Sequence, residues 1–228
     1  MLRKLTTLTL LFVSLAITAA RGDSSIKGTG TLERVIKEIS ARQRKIVTLE
    51  ADFRQEKELA LLSKAEVSTG HFLFAKPNRV FWNYVAPRPV QMVISDGILS
   101  TYYPELNKVE TIEVKKFEDR IFRYMGATGT AMEELGKFFD FRFVETQADP
   151  FYTLELTPKT KTVAKRVRRI KIWIDRDTYL TSKFEYAEGD GDVTRYEFTN
   201  IRMNGPIGEE RFSLRLPPTV RVEPLKLN

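Results

Sequence analysis

The sequence predicts an α+β protein in which about a dozen antiparallel strands form one sheet that curls on itself, with amphipathic helices packed against it. Three observations predict this class. A helical period is confined to residues 31–46 and 116–140. Elsewhere, short stretches with a period of two follow each other closely. The connections between these stretches are too short for crossovers, so neighbouring strands should be antiparallel.

The first helix is predicted over residues 31–46, where apolar residues recur at helical spacing and Thr31 is placed to cap the helix. The stretch LEADFRQE (49–56) then alternates between apolar and polar residues, which predicts a half-buried strand. Residues 116–140 predict two short helices joined at GATGT (126–130). The second of them is expected to bury Met132, Leu135, Phe138 and Phe139.

The remaining strands are predicted where period-two stretches lie between turn residues such as Pro77-Asn78 and Asp96-Gly97. They are 69–76, 79–85, 89–95, 98–103 and 107–114 before the second helical region, and 141–147, 151–157, 167–175, 179–187, 192–202 and 211–215 after it. Pro217-Pro218 is expected to end the last one.

Residues 1–22 are typical of a secretory signal peptide. Arg3 and Lys4 precede an uncharged run that ends in the small residues Thr18-Ala19-Ala20. A membrane anchor is the alternative, but the run is short for a membrane span. The chain has no cysteine, which excludes disulfides, thiolate metal sites and a lipid-anchored precursor. We therefore expect residues 23–228 to form a single exported domain, monomeric and located in the periplasm.

The net charge of +7 favours an anionic partner: nucleic acid, a phospholipid surface or an acidic protein. Export makes nucleic acid a poor candidate. The basic run KRVRRIK (165–171) has two explanations, a solvated strand edge that resists aggregation or a patch that binds anionic partners. The sequence leaves both open.

No catalytic motif is recognisable in the sequence. His71 begins a predicted strand, GATGT lies between two helices, and the paired acids Glu133-Glu134 and Glu209-Glu210 should point apart. We predict no catalytic residue, no metal and no cofactor. A glycosidase or transglycosylase that uses two carboxylates remains an open alternative, although no pair of carboxylates stands out.

The stretch HFLFAKPNRVFWNY (71–84) would place large apolar residues on both faces of two paired strands. Together with the following strand, one face would carry Phe72, Phe74, Val80, Trp82, Tyr84, Val90, Met92 and Ile94. One explanation is an ordinary core against the helices, which suits Phe53, Ile94 and Leu154. The other is the wall of a cavity with the helices as its lid. Composition does not decide between them.

Five stretches in order resemble the LolA family of periplasmic lipoprotein carriers. They are LEADFRQ (49–55), GHFLFAKPNRVFWNY (70–84), PRPVQMVISDG (87–97) followed by Tyr103, ELTPK (155–159) and FSLRLPPTVRV (212–222). The resemblance implies an incomplete antiparallel β-barrel of about 11–12 strands with a helical lid and an apolar cavity for acyl chains. It places the family's inward residues on Phe72, Phe74, Val80 and Trp82, and strand alternation adds Tyr84, Met92 and Ile94 as lipid-binding residues.

The family's lid latch, an arginine in well-studied members, falls on Lys76, whose ammonium lacks the planar fork of a guanidinium. The ELALLSK segment (58–64) is a second departure from the family pattern. The implied function is a carrier that shields acyl chains of lipoproteins, or another lipid, between an inner-membrane donor complex and an outer-membrane acceptor. A sensor or regulatory protein that binds a membrane partner, and an exported enzyme acting on glycolipid or wall polymer, are the alternatives.

Overall fold

The computed structural model describes residues 30–61, 64–115, 131–144 and 150–226. The predicted signal peptide, the first of the two helices predicted in 116–140 and the GATGT joint lie outside these ranges. The helices are α1 (Gly30–Arg44), α2 (Ala131–Gly136) and α3 (Lys161–Ala164). The strands are β1 (Thr48–Glu58), β2 (Glu66–Ala75), β3 (Arg79–Ala86), β4 (Val90–Ser95), β5 (Ile98–Tyr103), β6 (Lys108–Glu113), β7 (Phe139–Val144), β8 (Phe151–Pro158), β9 (Val167–Asp175), β10 (Thr181–Glu188), β11 (Val193–Met203) and β12 (Arg221–Leu225).

The strands form one sheet in the order β12–β6–β5–β4–β3–β2–β1–β11–β10–β9–β8–β7. All neighbours are antiparallel except β12, which pairs with β6 in parallel. Within the described part of the chain, the two outermost strands β12 and β7 do not pair with each other, so the sheet is open. The predicted α+β class and the predicted single antiparallel sheet are confirmed in this coarse form.

The sheet is strongly curled, as contacts between distant strands show. β3 and β11 are three positions apart in the sheet, which corresponds to about 14 Å on a flat sheet. The rings of Trp82 on β3 and Tyr196 on β11 nevertheless have centroids only 5.7 Å apart. The hydroxyl oxygens of Tyr84 and Tyr196 are 3.2 Å apart. The sheet therefore has a concave face, onto which these side chains point.

Two apolar clusters cover the concave face. In one, the apolar stripe of α1 packs against β7–β10, with Val35 and Ile39 almost fully buried between them. In the other, the inward residues of β2–β6 pack together with Ile46, just after α1, and with Leu180, between β9 and β10. The helix thus covers one half of the concave face directly and reaches the other half only at its carboxyl end.

The convex face differs between the two halves of the sheet. On β2–β4 it carries the apolar row Leu73, Phe81 and Val93. The turn Glu209–Phe212 contacts β3 and β4 from this side, and its Phe212 is buried. Ion pairs of Arg211 with Glu50 and of Arg79 with Glu209 hold the turn in place. A later segment of the same chain therefore contacts the second apolar face of the 71–84 stretch.

On β1 and β8–β11 the convex face is charged. Glu185 on β10 is buried between Arg169 on β9 and Arg195 on β11, with N–O distances of 3.0 and 2.8 Å. Lys171 lies 3.9 Å from Glu155 on β8. Because β9 lies between β8 and β10, the part of the basic run that lies in β9 is not at a strand edge, which contradicts the first of its two explanations. The charges on Arg169 and Lys171 belong to a cross-strand network in the middle of the sheet.

Helix α1 and every predicted strand except 211–215 are observed close to their predicted ranges. The predictions for residues 211–215 and for the end of the second helix are wrong. Residues 211–215 form no strand, because the backbone at Glu209–Phe212 closes a 3₁₀ turn. The last strand is instead β12, which lies beyond Pro217-Pro218. In addition, Phe139 belongs to strand β7 rather than to a helix, since α2 ends at Gly136.

Gly70 has a packing role in the sheet that only a glycine can fill. It lies opposite Phe53 on β1 and Tyr84 on β3, beside an irregularity in the β2–β3 register. A Cβ atom at this position would lie 2.7 Å from the Cζ of Phe53 and would collide with the carbonyl oxygen of Asn83. The ring of Phe53 therefore occupies space that any side chain at residue 70 would take.

We expect Gly70→Ala to destabilise the protein by about 2 kcal/mol, because the backbone of β3 cannot move away without breaking its ladder. Urea unfolding followed by circular dichroism measures this change. Gly205→Ala is the matched control, since a Cβ there meets nothing within 4 Å. Equal stability of the two variants would contradict the packing role of Gly70.

Candidate functional site

The seven residues predicted to bind lipid lie on one face of the sheet, because residues directly opposite in neighbouring strands share a face. Phe74, Val80 and Ile94 form one row across β2, β3 and β4. Phe72, Trp82 and Met92 form the next row. Tyr84 begins a third, opposite Gly70 and Val90. The structure brings all seven together on the concave face.

These residues differ in exposure. Phe74, Val80, Met92 and Ile94 are buried, whereas Phe72, Trp82 and Tyr84 are half-buried. The buried row continues through Leu99 and Ile112 on β5 and β6, so the apolar surface extends across five neighbouring strands. This arrangement provides a continuous apolar face in which three aromatic side chains keep part of their surface accessible.

Trp82 is the centre of an aromatic cluster on this face. Its ring lies 4.6 Å from that of Phe72 and 4.9 Å from that of Phe53, measured between centroids. Tyr196 and Phe198 on β11 approach it at 5.7 and 6.2 Å. Sequence reasoning missed both, and it assigned Phe53 to the core only. The period-two pattern places Tyr196 and Phe198 on one face of a strand, but only the curl brings them to Trp82.

The hydroxyl groups of Tyr84 and Tyr196 pair with each other among these rings. Burial raises the pKa of Tyr84 to about 12, and the hydrogen bond with Tyr196 opposes this shift. Burial also raises the pKa of Tyr196 well above its ordinary value. Both phenols are therefore neutral at physiological pH, and each provides the polar partner that the other needs in apolar surroundings.

Charged residues border the apolar face near the ends of its strands. On β6, Lys108 lies 2.7 Å from Glu110, and Tyr103 donates a hydrogen bond to Glu110 at 3.3 Å. The hydrogen bond with Glu110 raises the pKa of Lys108. On β1, Lys57 lies 3.7 Å from Glu188 and 3.8 Å from Asp192, and burial raises the pKa of Glu188. Within each group, the lysine and its acidic partners partly neutralise each other's charge.

Lys76 contacts the carboxyl end of helix α1. Its Nζ donates a hydrogen bond of 2.8 Å to the carbonyl oxygen of Arg44, the last residue of the helix. Asn204 binds the following residues from the opposite side: its Nδ2 donates to the carbonyl of Lys45, and its Oδ1 accepts from the backbone N–H of Val47. Sequence reasoning missed Asn204, whose backbone is in the left-handed region (φ 57°).

The other polar residues considered in the sequence have structural partners. His71 Nδ1 lies 2.6 Å from Asp52 Oδ1 on the exposed side of the sheet. Glu133 accepts a hydrogen bond of 3.3 Å from the buried Ser40 of α1, which joins α1 to α2. Among the described residues, no three histidine or acidic side chains are grouped so that they could hold a metal ion. None of the described helices has the length and apolar content needed to cross a bilayer.

We expect Lys76→Met to lower the free energy of unfolding by about 1 kcal/mol, because the Arg44 carbonyl loses its donor. Lys76→Arg should retain most of the stability, since a guanidinium can donate to the same oxygen. Urea unfolding is the measurement. Lys45→Met, a lysine substitution at the same helix end, is the control and should stay within about 0.5 kcal/mol of the parent protein. Identical losses in the two methionine variants would argue against the contact.

Tyr84 should make the protein sensitive to alkaline pH. Its pKa is about 12 in the folded state and about 10 in an unfolded chain. A raised folded-state pKa means that the stabilisation is complete below pH 10 and is lost as the pH rises through 12. We expect Tyr84→Phe to flatten the fall in unfolding free energy over this window, by at most about 1.4 kcal/mol per pH unit. Parallel curves for the two proteins would refute this.

Comparison with known proteins identifies the family. The family model described as outer membrane lipoprotein carrier protein LolA matches residues 44–215. The outer-membrane lipoprotein carrier protein of Halorhodospira halophila is 27% identical over 159 residues, which cover 69% of this chain and 70% of that protein.

Two solved structures share the fold. An uncharacterized conserved protein from Thermus thermophilus has a TM-score of 0.55 at 9% identity, covering 86% of this chain and 99% of that one. MucB has a TM-score of 0.51 at 15% identity, covering 86% and 66%. At these identities, the two structures show a likeness of the fold alone. The match of the family model spans most of the sequence, and the chain therefore belongs to the LolA family of outer-membrane lipoprotein carrier proteins.

Proposed function

We propose that this protein is a periplasmic carrier that shields acyl chains of lipoproteins, or of another lipid, against its concave face and ferries them from the inner to the outer membrane. The observation that supports this most directly is the continuous apolar face across β2–β6, with Phe72, Trp82 and Tyr84 still partly accessible. Family membership supports the same function.

The energetics favour a site that buries acyl chains only in part. Each methylene group removed from water contributes about 0.8 kcal/mol, so one long chain contributes on the order of 10 kcal/mol. Three chains buried completely would bind too tightly for a carrier that has to release them. A face that is already covered in part by its own rings and by Ile46 and Leu180 must give up those contacts to bind cargo, which lowers the net affinity.

In this proposal the curled sheet acts as an incomplete β-barrel, and α1 and α2 are part of its lid. The hydrogen bond between Ser40 and Glu133 supports joint movement of the two helices. The bond from Lys76 to the Arg44 carbonyl makes Lys76 the candidate latch, in the position that arginine has in well-studied relatives. One ammonium donor at a half-buried site would hold the helix more weakly than a guanidinium fork.

The site and partners follow from the same proposal. Residues 1–22 would direct export, and residues 23–228 would act as a single monomeric domain in the periplasm. An inner-membrane donor complex would deliver the lipid, and an outer-membrane acceptor would take it over. Transfer would proceed toward the more apolar site, with binding and release as the whole activity and no bond made or broken. Hence we propose no enzymatic function.

Co-purified lipid tests the proposal directly. We expect mass spectrometry of the protein isolated under native conditions to detect bound acyl-chain lipid. Trp82→Glu and Phe74→Glu should reduce that lipid at least tenfold, because each variant places a carboxylate among apolar side chains.

Val222→Glu is the control for these variants, since Val222 is 57% exposed on β12, away from the concave face. All variants should still be exported and folded, which circular dichroism of the periplasmic fraction verifies. If folded Trp82→Glu retained the lipid content of the control, the concave face would not be the binding site.

The regulatory alternative has weaker support. MucB shares the fold, but at 15% identity this likeness does not extend to a binding partner. A pull-down from solubilised membranes distinguishes the two functions, because a regulator would retain one membrane protein whether or not lipid is bound.

A further inference from the structure

One end of the sheet gathers most of its hairpin connections. Because β1–β6 and β8–β11 alternate in direction, the β1–β2, β3–β4, β5–β6, β8–β9 and β10–β11 connections all lie at this end. We call these connections the hairpin rim. It comprises residues 58–61 and 64–66, 86–90, 103–108, 158–167 and 188–193.

Hydrogen bonds join three of these connections into one continuous surface. The backbone N–H of Ala60 in the β1–β2 connection donates to Asp192 Oδ1, between β10 and β11, at 2.9 Å. The backbone N–H of Gly189 donates to the carbonyl of Arg166, between β8 and β9, at 2.9 Å. The β10–β11 connection therefore links residues 58–61, the start of the departure from the family pattern, to the basic run noted in the sequence.

The β8–β9 connection carries a dense positive charge. Residues 159–168 contain five basic side chains and no acidic one: Lys159, Lys161, Lys165, Arg166 and Arg168. Thr160 caps the short helix α3, so Lys161 and Lys165 lie one turn apart on its exposed surface. Within the described ranges, no carboxylate oxygen comes within 4.0 Å of the Lys161 or Lys165 ammonium groups, unlike those of Lys159 and Lys171.

The same surface exposes a large apolar side chain. Leu61 is 90% exposed in the β1–β2 connection, and Leu106 is 39% exposed elsewhere on the rim. Exposed leucine and lysine side chains on one surface are the combination that binds at a membrane interface, where apolar groups enter the headgroup layer and lysines meet lipid phosphates. A nucleic acid would engage the lysines but would leave Leu61 in water.

We propose that the hairpin rim docks on an anionic lipid bilayer, with Leu61 entering the headgroup layer and Lys161 and Lys165 contacting lipid phosphates. This inference goes beyond the lipid-carrier function, because a concave face can bind acyl chains without any contact of the protein with a membrane. Docking through this end would bring the charged border at Lys57 and the Tyr84 end of the apolar face close to the bilayer surface.

Vesicle sedimentation tests the proposal with the purified protein. We expect binding to vesicles of phosphatidylethanolamine and phosphatidylglycerol, little binding to vesicles of phosphatidylcholine alone, and loss of binding at high salt. The double variant Lys161→Glu/Lys165→Glu should weaken partitioning at least roughly 25-fold, since each lysine near an anionic surface contributes roughly fivefold. Leu61→Ser should also weaken it, in a manner that salt does not change, because this substitution removes apolar surface and leaves the net charge unaltered.

Two controls match these variants. Lys37→Glu/Lys226→Glu has the same change in net charge at exposed positions off the rim, and Ile98→Ser replaces an exposed apolar residue (44%) at a hairpin at the other end. Both should bind like the parent protein. Absence of parent binding to anionic vesicles, or equal binding of rim and control variants, would overturn the proposal. The proposal would also be overturned if the rim variants lost contact with a membrane protein while the protein showed no binding to vesicles.

Lipid content separates this result from the carrier function. If the rim variants lose vesicle binding but keep co-purified lipid, docking and acyl-chain binding are distinct properties. If Trp82→Glu loses lipid but still sediments with anionic vesicles, the rim inference stands although the concave face is empty. Sedimentation that depends on Trp82 rather than on Lys161 and Lys165 would overturn the rim inference, because it would assign vesicle binding to the concave face.

Discussion

Strand register is the constraint on which the concave face depends. Neighbouring side chains alternate between faces, so a slip of one residue in β3 would replace Val80, Trp82 and Tyr84 by their neighbours from the other face. The register is well determined here because both faces of β3 are covered by apolar partners, and because Phe53 occupies the space beside Gly70. The curl then brings β11 over β3, and the aromatic cluster forms from four strands.

The two halves of the sheet are covered in different ways. On β7–β10, α1 covers the inner face. On β8–β11, the outer face is covered by a network of arginines and carboxylates that stays in contact with water. On β2–β4, the turn that contains Phe212 covers the outer face, and the inner face is covered mainly by its own side chains with Ile46 and Leu180. The half that is apolar on both sides is the one with the accessible aromatic rings.

Local periodicity predicts most of the fold, because helix α1 and the strands up to β11 have clear periods of their own. Strand β12 could not be predicted in this way, since all its residues are exposed, it contains Pro224, and its partner β6 lies more than a hundred residues earlier. Phe212 and Leu214 alternate as in a strand, yet tertiary burial of Phe212 decides their structure. Within the site, the rows on β2–β4 follow from the alternation of side chains along each strand. Tyr196 and Phe198 do not, because only the curl brings them to Trp82. Asn204 does not either, because the pairing of β11 with β1 places it beside Lys45 and Val47.

The attachment of α1 limits how that helix can move. Its carboxyl end is held through backbone groups of Arg44, Lys45 and Val47. The rest of the helix is held by side chains, through apolar contacts with β7–β10, through Ser40, and through hydrogen bonds of Arg34 with Tyr152 and Tyr179. Any displacement that keeps these backbone hydrogen bonds must be a swing about the carboxyl end. Its amplitude then grows with distance from that pivot, so the first turn of the helix would sweep the widest arc, and residues near Ile46 would scarcely move.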